Sequence, residues 1–285
     1  MSFEKIVRKI DALGLRLYDF ALYTDGKIDA HRFQPCNHCN DSYSVAKAFT
    51  MTAIGLLWDD GKLQVTDSLY DLFRDDFPSG ADERWKKTTI EHALTHRLGF
   101  EKGFLDIDQE DVNAYPTSDY LRFVLSHPLA YEPGTHYQYS DAAFYLLSRV
   151  VSRIAGENLD SLLWERLLLP MRFKEVAWSR CPMEYPIGAT GLYISADDMV
   201  KLGALYMGDG MFEGKRLLSG EWVRLALNKQ YEFKAMLPGS LTGKCGVYGQ
   251  GLVFSKEKRF AAAWHGYVED GSWRELIACL EEMDE

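Results

Sequence analysis

The chain has 285 residues, 47% of them hydrophobic and 26% charged, enough apolar material for a sizeable core in one large domain or two coupled ones. Its 42 acidic residues outnumber 32 basic ones, for a net charge of −10 with no basic run, so the surface repels nucleic-acid phosphates and anionic lipid. No stretch approaches the roughly 18 apolar residues of a membrane span, the N-terminus lacks the apolar core of a secretory signal, and five cysteines, an odd number, suit reduced thiols. A cytoplasmic protein acting on a small molecule, without nucleic acid or membrane as partner, is expected.

In chain order, Phe3, Ile6, Val7, Ile10 and Leu13 share one face and predict an amphipathic helix over 3–13. Residues 16–33 alternate about Asp25-Gly26 and predict a hairpin. Residues 44–58 read as a helix apolar almost all round, hence buried, and ended by Asp59-Asp60-Gly61. From 65 to 180 the pattern is mainly helical, with helices over 90–96, 118–126, 141–155 and 159–168. Phe144, Leu147 and Val151 form a core stripe in the third of these. Ser195 caps a helix to residue 207, and another spans 219–227. Short strands are predicted over 246–254, 260–264 and 273–280, the first two joined by the turn Ser255-Lys256-Glu257-Lys258. Strand-rich ends around a helical middle predict an α/β domain from 1–64 and 181–285 and a helical domain from 65–180.

Ser44-Val45-Ala46-Lys47 is a Ser-x-x-Lys motif, and at helical spacing its hydroxyl and amine share a face. Two more copies, at Ser2 and Ser255, lie in charged, solvent-facing settings. Lys47 is instead the only charged residue between Ser44 and Trp58. An ammonium in a buried helix must be paired or neutralised, and desolvation favours the neutral amine that serves as a base. The bland alternative is a lysine that snorkels to the surface.

Tyr43-Ser44-Val45-Ala46-Lys47-Ala48-Phe49-Thr50 resembles the nucleophile helix of the serine β-lactamase and penicillin-binding-protein superfamily. Further segments resemble its branch of class C β-lactamases, DD-peptidases and esterases. They are Gly61–Asp67, Thr89–Gly99 and Gly191–Asp198, in consistent order along the chain. The resemblance implies an α+β, β-lactamase/transpeptidase-like fold: an antiparallel sheet flanked by helices, plus a helical domain, with the active site in a shared cleft. It makes Ser44 the nucleophile, Lys47 its activating partner, and Tyr139 of Tyr139-Ser140-Asp141 the general base and acid. Asp141 stands where Asn is commoner, and an ionised carboxylate accepts hydrogen bonds without donating one.

The third motif of the family, Lys-Thr-Gly, reads as missing. Two registers are open for it, Trp264-His265-Gly266 and His265-Gly266-Tyr267. His265 would orient the leaving group or line the pocket. Gly266 would let the strand approach the substrate, and the backbone N–H groups of Ser44 and Tyr267 would form the oxyanion hole. Loss of the lysine removes a cation for a substrate carboxylate and points away from β-lactams.

Cys36-Asn37-His38-Cys39 has the spacing of half a zinc site or a redox pair, but no second pair follows. His92 and His96 lack the Glu of a His-Glu-x-x-His site. No metal and no organic cofactor are expected. The reading is a serine hydrolase that cleaves an ester or amide of a small substrate through an acyl-enzyme on Ser44. The alternatives are a β-lactamase or DD-peptidase, and a non-catalytic ligand-binding or sensor protein on the same fold.

Overall fold

The computed structural model describes residues 2–236 and 239–283. The chain forms α1 (Phe3–Ala12), β1 (Leu17–Thr24), β2 (Lys27–Arg32) and β3 (Asn40–Asp41), then a 3-10 turn (Tyr43–Val45) that leads into α2 (Ala46–Asp59). There follow α3 (Leu69–Leu72), α4 (Ile90–Leu94), α5 (Tyr120–Leu125), α6 (Asp141–Ala155) and α7 (Leu159–Leu163), the last continued by a π turn over Trp164–Leu168. After β4 (Ala177–Trp178) and β5 (Leu192–Ile194) come α8 (Ala196–Met207), β6 (Met211–Phe212), β7 (Lys215–Arg216) and α9 (Gly220–Asn228). The chain closes with β8 (Lys234–Ala235), β9 (Thr242–Cys245), β10 (Gly251–Ser255), β11 (Phe260–Gly266) and α10 (Trp273–Glu281).

Two compact units result, one of Met1–Ala48, Leu169–Ala177 and Leu192–Glu285, the other of Phe49–Leu168 and Trp178–Gly191. The first break falls inside α2, whereas the sequence reading placed it at 64/65, after the stop signal Asp59-Asp60-Gly61. The body of α2 has no polar face to mark an edge: Phe49, Met51, Ile54 and Leu57 are all buried. The later breaks also differ from the expected 180/181, because residues 169–177 belong with the first unit and 178–191 with the second.

The first unit is built on a six-stranded antiparallel sheet of order β2-β1-β11-β10-β9-β8, drawn from both chain ends. Asp25 and Gly26, both at positive φ (48° and 81°), make the two-residue turn between β1 and β2. One face of the sheet packs α1 and α10 through Ile6, Ile10, Phe20, Val253, Ala262, Trp264, Leu276, Ile277 and Leu280. Full burial of such a side chain contributes about 1.5–3 kcal/mol. Alternation along the strands turns Leu252 and Ala261 to the opposite face, where Gly203 of α8 approaches them closely.

Residues 273–280 were expected to form a strand and are helical. Trp273, Leu276, Ile277 and Leu280 recur at i, i+3, i+4 and i+7, and that period buries one helical stripe. The strand expected over 246–254 begins only at Gly251, and β9 precedes it. In the second unit α6 is the central helix, with Phe144, Leu147 and Val151 fully buried and Gly156 ending it in the left-handed region at φ 76°.

The centre of the sheet carries a buried polar pair. Asp19 Oδ1 on β1 accepts from the backbone N–H of His265 and from its Nδ1, each at 2.9 Å, and His265 is fully buried. Asp19→Ala leaves two buried donors unpaired and should cost about 2–4 kcal/mol. Urea unfolding checks this, and a loss below about 1 kcal/mol would show the pair to be incidental.

Candidate active site

The segment that carries Ser44, the candidate nucleophile, begins with backbone strain. Tyr43 sits at φ 47°, a left-handed conformation unusual for a bulky residue, and its N–H is held by Asp41 Oδ1 at 2.7 Å. Just upstream, β3 pairs with β5, and the Ser42 N–H donates to Leu192 O at 2.9 Å. The chain then enters the helix, which aligns Ser44 with Lys47. Lys47 is fully buried, and its Nζ donates to Ser44 Oγ at 3.2 Å. The lysine therefore does not snorkel, and the pair expected from i, i+3 spacing is present.

The strand flanking this segment is β9. An added Cβ on Gly246, just past its end, would lie 3.0 Å from Tyr43 Cβ, 3.1 Å from Ser42 O and 2.5 Å from Gln250 Oε1. The close approach expected of the third motif's glycine is thus made by Gly246. It completes Lys244-Cys245-Gly246, a Lys-x-Gly in which Cys replaces Thr. A lysine thus stands two residues ahead of the glycine that lies against the Ser44 segment. Sequence reasoning passed over it because Thr242-Gly243-Lys244-Cys245 looks like loop, and because Trp264-His265-Gly266 offered a plainer β pattern. The signal was there, a Lys-x-Gly one strand ahead of the Gly251–Ser255 run.

Lys244 Nζ lies 2.5 Å from Glu232 Oε2, and that carboxylate is almost wholly buried. Cys245 turns to the opposite face against the sheet core, where burial pushes its thiol up to about 12 and keeps it protonated. The next residue, Val247, is exposed, and its N–H has no acceptor among the described residues.

The four residues read as the third motif have other tasks. β11 lies two strands from β9 in the sheet, about 10 Å away. The Trp264 ring lies over Gly251, where an added Cβ would stand 2.1 Å from it, and Nε1 donates to Gly249 O at 2.6 Å. His265 is locked to Asp19, so it is neither a pocket group nor an anion site. The close neighbour of Gly266 is the β1 end, Arg16 O and Leu17. The Tyr267 N–H already donates to Arg16 O at 2.9 Å, so it does not serve an oxyanion hole. Only the Tyr267 ring reaches toward the nucleophile segment, stacking on Tyr248 at 4.4 Å, which in turn meets Tyr43 edge-on at 5.1 Å.

In the second unit, Tyr139-Ser140-Asp141 enters α6 and is gripped from several sides. His96 Nδ1 accepts from the Ser140 N–H at 3.3 Å, and the His96 ring packs on Tyr139 at 4.5 Å. Gly103 runs so close that an added Cβ would stand 2.5 Å from Tyr139 O. The Phe104 N–H donates to Ser140 Oγ at 3.3 Å. Asp141, nearly buried, lies with Asp106 and Asp108, their carboxylate oxygens within 4.8 Å of one another. His92 closes a capping box, its Nδ1 accepting from the Thr89 N–H at 3.3 Å. His92 and His96 are thus engaged in holding local backbone. All five cysteines are free thiols, and no described helix is long and apolar enough to cross a membrane.

Comparison with known proteins bears on the family and the fold. The chain is 27% identical over 228 residues to unguisins hydrolase ungD' of Aspergillus campestris, covering 76% of this chain and 36% of that protein. It thus spans little more than a third of that relative's length. Among solved structures, a putative 6-aminohexanoate-dimer hydrolase from Bacillus anthracis superposes with a TM-score of 0.80 at 14% identity, covering 98% of this chain and 80% of the other. EstCE1, a hydrolase with promiscuous acyltransferase activity, superposes with a TM-score of 0.74 at 15% identity, covering 98% and 97%. Both likenesses establish the β-lactamase/transpeptidase-like fold. The beta-lactamase family profile matches residues 20–271, nearly the whole chain, and the chain belongs to the beta-lactamase family.

Proposed function

We propose that this chain is a serine hydrolase that cleaves an ester or amide of a small, uncharged substrate through an acyl-enzyme on Ser44. The observation that carries it is the fully buried Lys47 with its Nζ 3.2 Å from Ser44 Oγ. An amine there receives the hydroxyl proton as Oγ attacks the carbonyl carbon. Tyr139, assigned by its motif, passes the proton to the leaving group. Water then attacks the acyl carbon and restores Ser44. The N–H groups of Ser44 and Val247 are assigned to the carbonyl oxygen, in place of Tyr267. Relatives named as hydrolases support the reading.

A second reading, turnover of β-lactams or related anionic amides, gains from Lys244. Many relatives use a lysine there for a substrate carboxylate. Here Glu232 already neutralises it, so an anionic substrate must compete with a buried carboxylate 2.5 Å away. A charge-assisted contact contributes about 1.5–3 kcal/mol, or about ten- to a hundredfold.

Treatment with a fluorophosphonate should place one adduct on Ser44 by peptide mapping, and Ser44→Ala should be inert. An adduct elsewhere, with Ser44→Ala still active, would overturn the assignment, and absence of any adduct or turnover would favour a non-catalytic binding protein. Lys47→Ala and Tyr139→Phe should each lower kcat by about 10²–10⁴-fold, with effects that do not add because the two act as one unit. An unchanged kcat in Tyr139→Phe would make Tyr139 a packing residue.

kcat/KM for a neutral p-nitrophenyl ester should exceed that for nitrocefin at neutral pH. Glu232→Gln should narrow the gap about tenfold by releasing the Lys244 charge. A wild-type nitrocefin value equal to the ester's would favour the second reading.

A further inference from the structure

The tetrapeptide Cys36-Asn37-His38-Cys39 shows two ligand types in sequence and needs a third from elsewhere. The fold supplies Glu175, from the segment 169–177 of the same unit. We propose that His38, Cys39 and Glu175 form a binding site for one divalent transition-metal ion of the zinc type.

The geometry is near what such an ion requires. One ligand atom from each residue, His38 nitrogen, Cys39 Sγ and a Glu175 carboxylate oxygen, lies within 4.8 Å of the others. Cys39 Sγ is 3.9 Å from His38 Nδ1, and His38 Nδ1 meets Glu175 Oε1 directly. In a tetrahedral zinc site, with bonds of about 2.3 Å to sulfur and about 2.0 Å to nitrogen, the ligand atoms stand about 3.5 Å apart. To close the set, the His38–Glu175 contact must open by about 1 Å and Cys39 Sγ must draw in toward the imidazole. Sulfur with imidazole selects against Mg²⁺ and Ca²⁺ and suits Zn²⁺ or Co²⁺. His38 and Cys39 are partly exposed and Glu175 is exposed, so a fourth position is open to water, as in zinc sites with three protein ligands.

On binding, the metal–sulfur bond forms as the S–H proton leaves to solvent, with no change of oxidation state. The two cysteines do not share one environment. Cys36 Sγ faces Tyr18 O at 4.0 Å, while Cys39 Sγ faces His38 and Glu175. A metal site on Cys39 therefore fits better than a Cys36–Cys39 redox pair. The ion would clip residues 38–39 to the 169–177 segment just ahead of β3, the turn at Tyr43 and Ser44.

The test uses the full chain after chelator treatment. Zn²⁺ is titrated against a chromophoric chelator, and Co²⁺ is followed by its thiolate charge-transfer absorption. One ion per chain is expected, with a cobalt–thiolate band that disappears in Cys39→Ser. His38→Ala and Glu175→Gln should weaken Zn²⁺ binding at least as much as the about 10–100-fold typical of losing an outer-shell partner. Zn²⁺ should raise the Tm of the wild type and leave Cys39→Ser unmoved. Melting in chelator confirms that each variant folds. Cys36→Ser should bind as the wild type does. The proposal is overturned by absence of the cobalt–thiolate band. It is equally overturned if Cys36→Ser abolishes binding while Glu175→Gln does not, since the site would then be a Cys-x-x-Cys pair.

Discussion

A lysine nitrogen held in the interior beside a serine hydroxyl is the constraint on which the rest of this site depends. In water the Lys47 side chain would be a hydrated ammonium of little use as a base. Inside the protein its charged form is costly unless partners compensate it. Its helix is apolar almost all round, and with Phe49, Met51, Ile54 and Leu57 buried along it, Lys47 has no route to solvent. The strained Tyr43 turn then fixes where the helix starts, and so which atom the amine meets. A relaxed turn would let Ser44 rotate away from Nζ. Strain of this kind costs about 1–3 kcal/mol and persists where the surrounding structure over-determines it. Here Asp41 Oδ1, Leu192 O and the close approach of Gly246 do so.

Around that pair the first unit supplies a strand whose glycine lies against the nucleophile turn and whose lysine carries its own counter-charge. The buried Glu232 makes Lys244 a different group from a lysine that waits for an anion. With its charge met, Lys244 already holds the partner that a substrate carboxylate would otherwise be, which is the physical ground for the proposal of neutral esters and amides. In the second unit, His96, Gly103 and Phe104 hold the Tyr139-Ser140-Asp141 entry to α6 by backbone contacts that do not involve the tyrosine hydroxyl. Those contacts, together with the His96 ring packed on its own ring, position the tyrosine. The His38–Cys39–Glu175 cluster extends the same logic upstream, since it braces the segment that delivers β3 and the turn at Tyr43.

Much of this was legible in the residues because it depends on local periodicity. Hydrophobic recurrence marked α1, α6 and α8, the Asp25-Gly26 turn marked the first hairpin, and Ser195 accepts from the Asp198 N–H as an N-cap should. Ser44 and Lys47 were legible too, because i, i+3 spacing on a helix needs no tertiary information. The failures were of another kind. Residues 273–280 carry few residues to distinguish a short strand from one buried helical stripe, and packing against α1 chose the helix.

Sequence alone thus determined the family, the antiparallel sheet from both chain ends, and the pairing of Ser44 with a buried amine. What only the tertiary structure decided is which strand faces Ser44. Two glycines, Gly246 just past β9 and Gly266 at the end of β11, compete for the third motif, and each permits a close approach. Strand order separates them: β9 lies beside the Tyr43 turn, whereas β11 pairs with β1 and buries His265 against Asp19. Long-range pairing of this sort, like the meeting of Glu175 with His38 across more than a hundred residues, leaves no periodic trace in the chain. It is set by how the strands and loops pack, which is why it appears only in the folded protein.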